Sequence, residues 1–132
     1  MSGIGTVATT ARYALGAIRL VNGVLGLLAP AVIIRRFGDD VPDRNPAAIY
    51  GLRLFGIRTV LIGADLIRPR GRELDHAVRV APLIHASDTA TVLALWRSKQ
   101  LSTELARPLL LISGTNTALA VTAFLASRRS RT

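Results

Sequence analysis

Four apolar runs dominate the chain, at about 14–36, 47–67, 77–97 and 109–127. Each is long enough to cross a hydrocarbon core as a helix, which takes about 20 residues. The fourth, Leu109 to Ser127, carries no charge. The second carries two arginines in its interior: Ala47-Ala-Ile-Tyr-Gly-Leu-Arg53-Leu-Phe-Gly-Ile-Arg58-Thr-Val-Leu-Ile-Gly-Ala-Asp65-Leu-Ile67. A charged side chain at the middle of a bilayer costs about 2.5–3.5 kcal/mol on insertion scales. Arg53 and Arg58 must therefore face a partner, water or a ligand.

At 132 residues the chain is long enough for one domain. Half of it is hydrophobic but only 5% is aromatic, so the apolar mass is Leu, Ile, Val and Ala. That mixture suits helices packed against lipid and against small-residue seams. With no Cys, disulfides and thiolate metal sites are excluded. The net charge is +9, and 16 of the 17 basic residues are Arg. These arginines punctuate the apolar runs, as basic residues flanking spanning helices do. They form no single stripe, and no aromatic residues interleave with them to stack bases. The partners expected are the lipid bilayer, other membrane proteins or a lipid-like ligand, and not nucleic acid.

Pro30, near the end of the first run, either kinks its helix or ends it. The third run opens near Glu73 and Asp75, acids suited to a helix N-terminus, and contains Pro82 close to His85. The connections are the loop Gly38 to Pro46, the basic turn Arg68 to Arg72, and residues 98–108. Asn45-Pro46 suits the start of the second helix. Short links predict an all-α, four-helix transmembrane bundle with up-down-up-down topology. It is one domain over 1–132, a multi-pass protein of the cell membrane.

With the N-terminus inside, the inner ends hold Arg12, Arg68, Arg70, Arg72, Arg79, Arg128, Arg129 and Arg131. The outer ends hold Arg35, Arg36, Arg44, Arg97, Lys99 and Arg107. Eight against six favours N-in, C-in. Two other readings compete. Residues 1–31 can be read as a signal peptide cleaved at Ala29-Pro-Ala31, although the basic segment before the apolar run is long for one. A soluble helical bundle would put the charges on wet faces, and only the fourth run lacks charges throughout.

Counted from the inner end at 1.5 Å per residue, Asn22 lies roughly 12 Å deep, Arg58 roughly 13 Å and His85 roughly 12 Å. On the same count Asp88 and Asn116 each lie roughly 16 Å deep. The five come from all four runs and gather near the midplane of a core about 30 Å thick. Arg53 lies above them, and Arg19 and Asp65 lie nearer the inner surface as an expected ion pair. His85 and Asp88 are three apart and share one side of a helix. Arg53 and Arg58 are five apart and diverge by about 140°.

Three roles fit this set. Arg58 with Asp88, and Arg19 with Asp65, can be interhelical glue. Arg53, Arg58, Asn22 and Asn116 can line a pocket whose arginines meet an anionic or polar headgroup. His85 and Asp88 can be an acid–base pair, with Arg58 stabilising an oxyanion. No cofactor is implied. With two histidines, and His76 at the interface, no metal site is expected. Ser87 is two residues from His85 and so points to another side of the helix, and spacing alone supports no Ser-His-Asp triad. Gly51, Gly56 and Gly63 read as close-packing positions. No glycine-rich nucleotide loop is present.

Three segments carry a family resemblance: Arg19-Leu-Val-Asn-Gly-Val-Leu-Gly-Leu-Leu-Ala-Pro30, Arg53-Leu-Phe-Gly56-Ile-Arg58-Thr59-Val-Leu-Ile-Gly63, and Ala86-Ser-Asp88. Together the chain resembles an uncharacterised family of small four-helix integral membrane proteins common in actinobacteria. The second segment is similar to a Gly-x-Arg-Asp-x-x-x-Gly pattern, with Thr59 standing where that pattern has Asp. The resemblance implies the four-helix membrane fold and supplies no activity. The leading expectation is a structural or accessory membrane component. The alternatives are a binder of an apolar molecule with a polar or anionic head, and a small membrane enzyme acting on an apolar substrate.

Overall fold

The computed structural model describes residues 3–40 and 44–129. Arg131 of the basic tail and the centre of the Gly38–Pro46 loop lie outside them. The described residues form five helices and no strand: α1 (Gly3–Leu28), α2 (Pro30–Arg36), α3 (Pro46–Ile67), α4 (Arg72–Arg97) and α5 (Thr103–Arg129).

The first apolar run does not form one helix over 14–36. Its helix starts at Gly3 and stops at Leu28, and Pro30 takes the first position of α2. Proline lacks an N–H and pushes the preceding residue out of the helical region, which ends one helix and pre-sets the next. Ala29 accordingly sits at φ −135° and ψ 52°. At α3 the expected start holds, with Pro46 first and the Asn45 side chain accepting a hydrogen bond from the Ala48 N–H at 3.2 Å. The last helix also starts early. The Ser102 hydroxyl accepts from Leu105 N–H at 3.3 Å, so α5 begins at Thr103 with Pro108 inside it.

Helix α4 ends in a left-handed turn. Lys99 has φ 61°, its N–H donates to the Trp96 carbonyl at 3.1 Å, and the Gln100 N–H donates to the Leu95 carbonyl at 3.0 Å. This is the Schellman pairing, built here on a lysine where glycine is usual.

The chain divides into two compact units, residues 16–68 and residues 1–15 with 69–132. In the first, α1 and α3 pack antiparallel along a glycine seam. A Cβ on Gly56 would stand 2.5 Å from the Leu27 nitrogen and 2.7 Å from the Gly23 carbonyl oxygen. One on Gly63 would stand 3.0 Å from the Gly16 carbonyl oxygen. Gly16 thus faces Gly63 and Gly23 faces Gly56, each pair two helical turns from the other. Gly51 has nothing within 4 Å and is no packing position. In the second unit α4 and α5 pack through small residues: Ala77 and Ala81 are buried on α4, and Ala106, Ala120, Ala123 and Ala126 on α5.

The distribution of side chains is inverted relative to a water-soluble core. The only large side chains fully buried among the described residues are Leu15, Leu66 and His85. Leu83, Leu111 and Leu28 are exposed at 75%, 72% and 74%. Helices α1, α3 and α5 are each long and apolar enough to cross a membrane. Helix α4 has the length, but its first turns hold Glu73, Asp75, His76 and Arg79.

Candidate functional site

Among the described residues the buried polar ones are Arg19, Thr59, His85, Ser113 and Asn116. In the unit of residues 16–68, Arg19 is 5% exposed. It lies three residues after Gly16 and four before Gly23, so the seam that draws those glycines inward carries Arg19 with them. Thr59 stands in the same relation to Gly56 and Gly63 and is also buried. Asp65, expected to pair with Arg19, forms an ion pair with Arg68 at 3.1 Å. Asn22 is half-buried, and Arg53 and Arg58 are exposed. Neither of these two arginines forms an ion pair among the described residues.

In the other unit, His85 and Asp88 come together as their spacing predicts. Nδ1 and Oδ2 are 3.6 Å apart, with the imidazole 1% and the carboxylate 47% exposed. That separation is an ion-pair contact and too long for a hydrogen bond. Next to it runs a polar clasp that spacing did not disclose. The Thr89 hydroxyl contacts the His85 carbonyl at 3.0 Å and the Thr117 hydroxyl at 3.1 Å. The Thr117 hydroxyl also contacts the Ser113 carbonyl at 2.8 Å. Two hydroxyl protons serve three contacts, so one threonine spends its proton across the α4–α5 interface while the other keeps its backbone bond. Beside it on α5, Ser113 Oγ and Asn116 Oδ1 are buried with no hydrogen-bond partner among the described residues. Ser113, Thr89 and Thr117 are weakly polar letters inside apolar runs, and only their common depth could have singled them out.

Two cavities lined by described residues of this unit stand apart from His85 and Asp88. One, of about 710 Å³, is bordered by Arg12 of α1, Asp75 and Arg79 of α4, and Phe124 and Arg128 of α5. The start of α1, the start of α4 and the end of α5 therefore share one end of the unit. The turn joining α4 to α5 closes the opposite end of that helix pair, where the Trp96 indole N–H donates to the Thr103 hydroxyl at 3.1 Å. Among the described residues no three His, Asp or Glu side chains stand close enough to hold a metal ion.

No family model matches the chain, and no curated protein or solved structure matches it.

Proposed function

We propose that the chain is a multi-pass protein of the cell membrane, N-in and C-in, with the four-helix fold of the actinobacterial family it resembles. We propose that it acts as a structural or accessory component that assembles with a second copy of itself. The observation that carries this reading is the exposure of opposite charges at mid-span. Arg58 on α3 is exposed among Leu54, Phe55, Ile57 and Leu61, and Asp88 on α4 is exposed between Leu83 and Leu93. Each would cost about 2.5–3.5 kcal/mol if left facing lipid.

Helix α4 serves as the fourth span through the stretch from Val80 to Trp96, in which His85 and Asp88 are the only ionisable residues. That stretch rises about 25 Å, near the lower end of what spanning requires. The charged first turns of α4 then lie at the headgroups. A two-fold axis along the membrane normal brings equal depths together. Arg58 at roughly 13 Å and Asp88 at roughly 12 Å from the start of this span then pair reciprocally between copies, with Arg53 as a second cation above.

Native mass spectrometry of the protein in nanodiscs tests this. A dimer is expected for the wild type and monomers for Arg58→Asp and for Asp88→Arg, with the dimer restored when both exchanges are combined. A wild-type monomer at every concentration contradicts assembly. The binding alternative is favoured by one observation, the basic cavity.

A further inference from the structure

Mid-span charge does not account for the basic cavity at the end of the unit formed by α4, α5 and the start of α1. We propose that it binds a phosphate-bearing ligand, with Arg12, Arg79 and Arg128 as the cationic contacts. This goes beyond assembly in the membrane and gives the binding alternative its ligand class. Each arginine comes from a different helix, and among the described residues Asp75 is the one carboxylate bordering the same space. Three guanidinium groups against one carboxylate leave two positive charges in excess, the charge of a phosphate dianion with opposite sign.

Basic residues gather at the inner ends of spanning helices for reasons of topology alone. Topology does not require three of them to border one cavity, where their mutual repulsion is relieved by an anion. Arginine is also the residue whose planar fork meets phosphate with two parallel hydrogen bonds. Arg79 is already held in place: its Nε donates to the Asp75 carbonyl at 3.3 Å, leaving both Nη groups for a ligand. Arg128 lies over the Phe124 ring at 5.4 Å, which steadies its guanidinium beside the cavity.

The size argues for more than a bare ion. About 710 Å³ falls within the 300–1,000 Å³ of small-molecule sites. Val78, Leu74 and Phe124 supply apolar wall for an organic remainder. Two sources share this chemistry. One is the headgroup of an anionic phospholipid, which basic pockets between spanning helices recognise. The other is a soluble phosphorylated molecule reaching the same end of the unit from water.

The test uses the full chain, with Arg79→Gln and Arg128→Gln as site variants. Arg129→Gln is the control, removing the same charge one residue from Arg128 but outside this cavity. In one arm, native mass spectrometry reads retention of phosphatidylglycerol over phosphatidylcholine from mixed nanodiscs. In the other, calorimetry reads inorganic phosphate binding to delipidated protein in neutral detergent. Retention of phosphatidylglycerol without phosphate binding assigns a lipid headgroup. Saturable phosphate binding without lipid preference assigns a soluble ligand. In either case each site variant is expected to weaken binding about tenfold, the loss of one charge-assisted contact, while Arg129→Gln does not. Charge exchange at Arg58, which tests assembly, leaves this binding unchanged, so the two proposals fail separately. No binding in either arm, or an equal loss in Arg129→Gln, overturns the proposal.

Discussion

At Gly56 a single methyl group meets main chain on two sides. Its added Cβ would lie 2.5 Å from one backbone atom of α1 and 2.7 Å from another, and backbone cannot rotate aside as a side chain can. Gly56→Ala therefore has to part α1 from α3, at a cost of about 1–3 kcal/mol or more. Gly51→Ala is the matched control. Open space surrounds Gly51, so the same change recovers the helix propensity that glycine lacks, about 0.5–1 kcal/mol. Equilibrium unfolding in mixed micelles should shift in opposite directions for the two variants. In the sequence both glycines read as packing positions. They are five residues apart, hence about 140° around the helix, and only the seam decides which one faces inward. Arg19 shows the same limit from the other side. Its place near the start of an apolar run suggested an arginine near the inner surface, paired with Asp65, yet glycines one turn away on either side turn it into the interior. The spacing from Gly16 and Gly23 held that signal, and residue depth did not. Lys99 offers a third check. Its left-handed conformation costs a non-glycine residue about 1–2 kcal/mol, so Lys99→Gly should raise stability by about 1 kcal/mol after the greater chain entropy of glycine is allowed for.

Helix boundaries and helix contacts divide differently between what sequence carries and what it does not. Apolar runs mark where a chain meets lipid, whereas helices extend as far as their hydrogen bonds and caps allow. That is why α1 begins at Gly3 and α5 at Thr103, well outside the runs that announced them. The proline at position 30 was legible as a break, because a missing N–H and a restricted neighbour act locally. The threonine clasp between α4 and α5 was not legible, because it depends on two residues 28 apart meeting across an interface. Its strength follows from what such bonds contribute between membrane helices, about 0.6 kcal/mol on average and at most about 1.7 kcal/mol. A double-mutant cycle of Thr89→Val and Thr117→Val should return a coupling energy in that range. A coupling near zero would mean that each hydroxyl serves only its own helix backbone, at the His85 and Ser113 carbonyls.

Among the described residues many large aliphatic side chains face outward, and apart from a few such as Leu15 and Leu66 the buried positions are mostly alanine, glycine and a few polar groups. Water penalises such a surface, and a bilayer does not. This inversion separates the membrane reading from a soluble helical bundle more sharply than apolar run length, since a long apolar helix can also be the centre of a water-soluble core. The all-helical class and three spans of sufficient length were legible from apolarity. Helix α4, expected as a fourth span, is not among them, because its first turns hold Glu73, Asp75, His76 and Arg79. The chain has no cysteine, so single cysteines carrying a spin label report each position cleanly. The decisive measurement compares collision of such labels at Leu61, Leu83 and Leu111 with oxygen, which concentrates in lipid, and with a water-soluble nickel chelate. All three side chains are exposed. High oxygen and low nickel accessibility at all three, with the reverse at Ser102, is the predicted result. High nickel accessibility at Leu61, Leu83 and Leu111 in protein reconstituted in vesicles would place those faces in water and contradict the account.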